Sequence, residues 1–149
     1  MTQTFSLQPL LEIMQTRTDE ATRKLGPLIA AEKNEKNRLQ MLEQYRQEYA
    51  AKMSHASSQG LSQLMLRNYQ DFLNRIDEAI KQQRIAVLTS ENNTKAGQDD
   101  WKAQNRQLKA IDTLAQRHNT RERYRENKQD QKLQDEFTTR RFGTETPQD

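Results

Sequence analysis

Leu39-Gln40-Met41-Leu42-Glu43-Gln44-Tyr45-Arg46-Gln47-Glu48-Tyr49-Ala50-Ala51-Lys52-Met53-Ser54-His55-Ala56-Ser57-Ser58-Gln59-Gly60 holds both the governing rule of this chain and its interruption. Leu39, Leu42, Arg46, Tyr49, Met53 and Ala56 follow one another in alternating steps of three and four, and the stripe then meets Ser57-Ser58-Gln59-Gly60. Followed backward, the same steps pass through Glu35, Glu32, Leu28, Leu25, Ala21, Thr18, Met14, Leu11 and Leu7. The residues between are mostly Glu, Lys, Arg, Gln or Asn, so the helix these steps describe is solvated on all but one narrow line. Such a line is best covered by a second helix with a matching line. A short loop sends that second helix back antiparallel to the first. The expected fold is all-α, a long two-helix antiparallel coiled coil. Its hairpin is about 75–80 Å long, from roughly fifty residues at about 1.5 Å each.

The stripe is not apolar throughout. Glu32, Glu35 and Arg46 stand on it. Either those places stay open to water, or the register slips and turns Ala31, Met41 and Tyr45 inward. At the start, Met1–Phe5 reads as frayed, Ser6 as an N-cap and Pro9 as a first-turn proline. Gly26-Pro27 predicts a bend, since proline deletes one backbone hydrogen bond and crowds the preceding turn.

After Gly60, a residue suited to a left-handed turn, a second stripe runs through Met65, Tyr69, Phe72, Ile76, Ile80, Val87, Trp101, Leu108, Ile111 and Ala115. It fades between Val87 and Trp101 through Ser90, Thr94 and Gly97, the stretch that a hairpin folded about Gly60 sets opposite Gly26-Pro27. Beyond Ala115 the chain stays compatible with helix, but its large apolar residues shrink to Tyr124, Leu133 and Phe137. With the pivot near residue 59, those last twenty-odd residues outrun the first helix and overhang the open end. The expected organisation is a frayed 1–5, a hairpin over 6–141 (helices at about 6–56 and 61–141, turn 57–60) and a disordered tail over 142–149.

Composition agrees with this shape. Of 149 residues 32% are hydrophobic and 30% charged, and a mean hydropathy of -1.18 leaves too little apolar surface for a thick core. Four glycines and three prolines are too few for a loop-rich fold. The chain has no cysteine, which removes disulfides and thiol chemistry and suits a reducing compartment. Neither a signal peptide nor an apolar run near the roughly 20 residues of a membrane helix is present, so a cytoplasmic protein without membrane insertion is expected. The net charge of +3 is modest, and the one locally basic stretch runs from Lys102 to Arg125. Glu122 and Glu126 dilute it, and a solvated face of mixed charge, a nucleic-acid contact and docking to an acidic protein surface all remain open readings.

Chemistry-bearing clusters are missing. His55 and His118, the two histidines, stand far apart, and the four glycines form no phosphate-cradling pattern. The carboxylates sit on solvated helix faces with no cleft to shift them. No catalytic residue, metal ligand or cofactor is expected.

The segment Glu126-Asn127-Lys128-Gln129-Asp130-Gln131-Lys132-Leu133-Gln134-Asp135-Glu136-Phe137-Thr138-Thr139-Arg140 resembles the C-terminal signature of the flagellar export protein family FliJ. Met41-Leu42 with Tyr45 and Tyr49 fits the same family, as do Asn68-Tyr69-Gln70 followed by Phe72, Ile76 and Ala79-Ile80. The resemblance covers nearly the whole chain. It implies a hairpin similar to the gamma stalk of rotary ATPases, placed in the cytoplasm at the inner membrane's inner face. The implied role is to insert the end bearing both termini into the hexameric export ATPase, promote ring assembly, contact the cytoplasmic part of the export gate and help recycle export chaperones. The gate contact maps to Phe72, Ile76, Ala79 and Gln83, the last a position where the family can carry histidine. The ATPase-ring contact maps to Asp130, Lys132, Asp135, Glu136 and Arg140. An injectisome stalk and a basic coiled coil that binds nucleic acid are the alternative readings.

Overall fold

The computed structural model describes residues 7–143. Among them are two helices and no strand: α1, Gln8–Ser58, and α2, Gln63–Gly143, joined by one reversal and packed against each other as an all-α hairpin. The fraying expected for Met1–Phe5 and the cap expected at Ser6 lie outside the described residues, as does the tail from 144 onward. Phe142 and Gly143, read as the beginning of that tail, continue α2.

Backbone and serine hydrogen bonds tie the reversal at both helix ends. Gln59 N–H donates to Ala56 O and Gly60 N–H to Ser57 O, both at 3.2 Å, which satisfies two carbonyls at the end of α1. Gly60 reaches this with φ of 92°, a left-handed value that a β-carbon disfavours. Ser62 caps α2, its Oγ accepting from Met65 N–H at 3.3 Å, while Ser58 Oγ turns back to donate to His55 O at 2.6 Å.

The contacts fall into two compact units, Asp19–Ala103 and Met1–Thr18 with Gln104–Asp149. In the first, the covered line of α1 is the one its sequence spells: Ala21 is buried, and Leu25, Leu28, Glu32, Glu35, Leu39, Leu42, Arg46, Tyr49, Met53 and Ala56 are partly covered. The register does not slip, because Ala31, Met41 and Tyr45 all face water, Met41 at 69% exposure. On α2 the buried residues are Leu73, Ile76, Ile80, Val87 and Thr94.

Two seam assignments change. Met65 is 53% exposed and Leu66 takes the covered place; Leu73 joins the core beside Phe72. Stepping back from Ile76 by three, four and three gives Leu73, Tyr69 and Leu66, so the seam keeps heptad spacing and Phe72 falls on its flank.

Gly97 is where the seam narrows. A β-carbon there would sit 2.7 Å from Leu28 Cδ1 and 3.4 Å from Leu25 Cδ1, so the bare glycine makes room for the two leucines that bracket Gly26-Pro27. The thin stretch of α2 does lie against that dipeptide's neighbours. Helix α1 runs through Pro27 without a break, with Gly26 and Pro27 on its exposed side.

In the second unit Leu7, Leu11 and Met14 are half-buried and Thr18 is buried, its Oγ1 donating to Met14 O at 2.8 Å. On the α2 side Gln104, Leu108, Ile111, Ala115, His118 and Glu122 are partly covered at heptad spacing. From Arg123 to Gly143 every residue is exposed. There α2 continues with no side covered.

Large-to-small substitution separates seam from surface. Ile76→Ala should cost about 2–5 kcal/mol in urea unfolding, the range for a buried aliphatic side chain. Met41→Ala, at an exposed site, should stay within about 0.5 kcal/mol of the parent. Equal losses would mean that the seam runs elsewhere.

Candidate functional site

Three polar residues of α2 are partnered across the seam. Gln83 Nε2 donates to Glu35 O at 2.9 Å and to the Glu35 carboxylate, whose other oxygen lies 3.7 Å from Arg38. Thr94 Oγ1 donates to Leu28 O at 3.2 Å. Trp101 Nε1 donates to Thr22 Oγ1 at 2.9 Å. As the α1 number rises the α2 number falls, which is the antiparallel register in atomic terms. A buried amide or hydroxyl left without such a partner would cost more than it contributes, so these bonds select one alignment of the helices.

The two edges beside the seam differ in chemistry. One carries ion pairs: Lys36 lies 3.1 Å from Glu32 and 3.6 Å from Glu91, Arg84 lies 3.4 Å from Glu43, and Arg46 pairs with Asp77 through two nitrogens. The other carries aromatic rings. Tyr49 packs on Phe72 with centroids 4.5 Å apart and on Tyr69 at 5.3 Å, and Tyr45 meets Phe72 edge-on at 6.3 Å.

The four residues mapped to the export gate do not share one exposed strip. Ile76 is 6% exposed, a seam residue, and Gln83 is part-buried and tied to Glu35. Phe72 shows one side of its ring beyond the Tyr45–Tyr49 cluster, and Ala79 is exposed. Spacing of i, i+4, i+7 and i+11 describes one face of a helix, and here that face straddles the line between seam and flank.

The five residues mapped to the ATPase ring, Asp130, Lys132, Asp135, Glu136 and Arg140, are all exposed on the uncovered part of α2. Lys132, Glu136 and Arg140 follow at i, i+4 and i+8 and share a side, while Asp130 lies about 200° around the helix from Lys132. Between them stand Leu133 and Phe137 at i and i+4, 64% and 68% exposed. Along the sequence these two are only sparse apolar residues. Their signal was the i, i+4 spacing within a stretch otherwise polar.

Neither histidine is near the other's surroundings: His55 Nε2 lies 3.4 Å from Gln59 Nε2 at the turn, and His118 Nε2 lies 3.4 Å from Glu122 Oε1. Among the described residues no group of His, Cys, Asp and Glu is arranged to hold a metal ion, and no helix is long and apolar enough to cross a membrane.

A two-helix hairpin with one charged edge, one aromatic edge and an uncovered terminal helix is a protein built for contact with other proteins. The family described as Flagellar FliJ protein matches residues 3–146. The chain belongs to that family and is a flagellar export component. It is similar to the flagellar FliJ protein of Salmonella typhi, 28% identical over 140 residues that cover 94% of this chain and 95% of the relative. It is similar also to the flagellar FliJ protein of Escherichia coli (strain K12), 28% identical over 135 residues, 91% and 92% of the two chains.

Acid should loosen the charged edge. The hydrogen bond from Arg46 holds the Asp77 carboxyl below its ordinary value, and those from Lys36 and then Thr94 do the same for Glu32. A depressed native pKa contributes stability above the ordinary carboxylate range and loses it as pH falls through the native value. Asp77→Asn combined with Glu32→Gln should therefore flatten the acid limb of a stability–pH curve between about pH 5 and pH 2. Curves of parent and variant that run parallel there would show that these pairs contribute nothing.

Proposed function

We propose that the chain serves as the central stalk of the flagellar export ATPase. The observation that carries this reading is the uncovered helix Arg123 to Gly143: more than five helical turns with no side covered. A lone helix of that length is marginal in water, and a surrounding ring would supply the contacts it lacks. Asp130, Lys132, Asp135, Glu136 and Arg140 meet the ring by charge, with Leu133 and Phe137 as its apolar contact. Insertion brings ring subunits onto one axis and so promotes their assembly. Near the turn, the export gate contacts the exposed edge of Phe72 and Ala79, with Ile76 and Gln83 behind them as support. Export chaperones are the third class of partner, recycled while the stalk is bound at the membrane's cytoplasmic face.

A chain ending at Arg123 should keep the thermal transition of the hairpin and lose stimulation of the export ATPase. In the full-length chain, Asp135→Lys with Glu136→Lys should weaken ring binding and alter its salt dependence, since exposed charges act over about 8 Å at physiological ionic strength. Full stimulation by the truncated chain would move the ring contact to the Leu7 to Met14 segment.

The gate contact has its own check. Ala79→Arg should leave urea unfolding within about 0.5 kcal/mol of the parent, because the site is exposed, and should reduce capture of the gate's cytoplasmic domain. Undiminished capture removes Ala79 from the contact.

A further inference from the structure

The basic stretch that sequence composition left ambiguous becomes a one-sided surface once it is wound into α2. Between Arg106 and Lys128 the carboxylates are Asp112, Glu122 and Glu126. At about 100° per residue, all three lie within about 60° of the line through Leu108, Ile111 and Ala115, the side turned toward α1. Arg106, Lys109, Arg117, Arg121 and Lys128 lie within about 60° of the opposite line. Two of the three acids are also engaged locally: Asp112 Oδ2 accepts from Gln116 at 3.2 Å, and Glu122 approaches His118 at 3.4 Å. The five cations are exposed, and none of them forms an ion pair among the described residues. The acids that diluted the charge in one dimension do not dilute it on this face.

We propose that the outward face of α2 from Arg106 to Lys128 is a docking surface for an acidic protein surface about 33 Å long, the span of those residues at about 1.5 Å each. Three occupants are electrostatically compatible, and geometry favours one. A helix seated in a DNA groove meets phosphates on both walls, and this helix has five of the seven cations between Arg106 and Lys128 on one side, Arg123 and Arg125 on its flanks, and carboxylates on the other side. A membrane-surface helix needs apolar anchors beside its cations, and this face offers Tyr124 alone, at 67% exposure. An acidic helix or ridge lying alongside meets all five cations without groove or insertion. The surface meets the helix proposed to enter the ring over residues 123–128, and none of its argument depends on that ring contact.

The test uses the full chain, with a helical peptide about twenty residues long bearing glutamates along one face as the probe. At roughly 50 mM salt, where screening is weak, the peptide should bind the parent. Arg117→Glu with Arg121→Glu should lower that affinity at least tenfold. A control of equal charge change, Arg67→Glu with Arg75→Glu, should lower it less than threefold. Circular dichroism of both variants checks that the exposed substitutions leave the helices intact. The proposal is overturned if the peptide does not bind the parent, or if the two double variants lose affinity equally. It is also overturned if a DNA duplex or phosphatidylserine vesicles bind at about 150 mM salt while the peptide does not.

Discussion

The rest of the Asp19–Ala103 unit depends on the covered line formed by Leu39, Leu42 and Tyr49 of α1 and Leu73, Ile76 and Ile80 of α2. A two-helix seam has no second layer, so each covered side chain leans on one facing helix and on solvent. That is why, among the described apolar residues, only Ala21, Leu73, Ile76, Ile80 and Val87 fall below a tenth exposed, and none of them is wholly enclosed. With so little apolar area per turn, the hydrophobic term alone leaves neighbouring registers close in energy. The polar residues on the seam separate them. Gln83 against the Glu35 carboxylate and Trp101 against the Thr22 hydroxyl are satisfied in one alignment, and a shift by a heptad would part each side chain from its partner.

The same constraint explains why the flanks can be specialised. Once the seam is set, residues beside it meet their opposites along two separate edges. One edge pairs Lys36 with Glu91, Arg84 with Glu43 and Arg46 with Asp77. Exposed pairs of this kind contribute little to stability, and their value lies in alignment. The other edge gathers Tyr45, Tyr49, Tyr69 and Phe72 into one cluster close to the turn. Each side of the hairpin thereby carries a surface of distinct chemistry.

Membership in the FliJ family accounts for the economy of the design. The uncovered end of α2 and the basic outward face of its 106–128 stretch are places where stability was not the governing demand. Neither buries apolar area, and charged residues kept there have no folding role to explain them.

The period of three and four in α1 determined which of its sides is covered, because helical phase is local and survives any choice of partner. The turn at Gly60 was equally legible, since a left-handed backbone there depends on the residue itself. What tertiary structure decided is how each covered position is filled. Periodicity could not choose between Met65 and Leu66, or between Phe72 and Leu73, because adjacent apolar residues fit neighbouring phases equally well. The facing helix selected Leu66 and Leu73 and put Phe72 on the flank. Whether Glu32, Glu35 and Arg46 would force a slip was likewise undecidable from α1 alone, for the partners that hold them in register, Thr94, Gln83 and Asp77, stand about thirty to sixty residues away. Burial is a property of pairs of helices, and a sequence read one helix at a time contains only half of each pair.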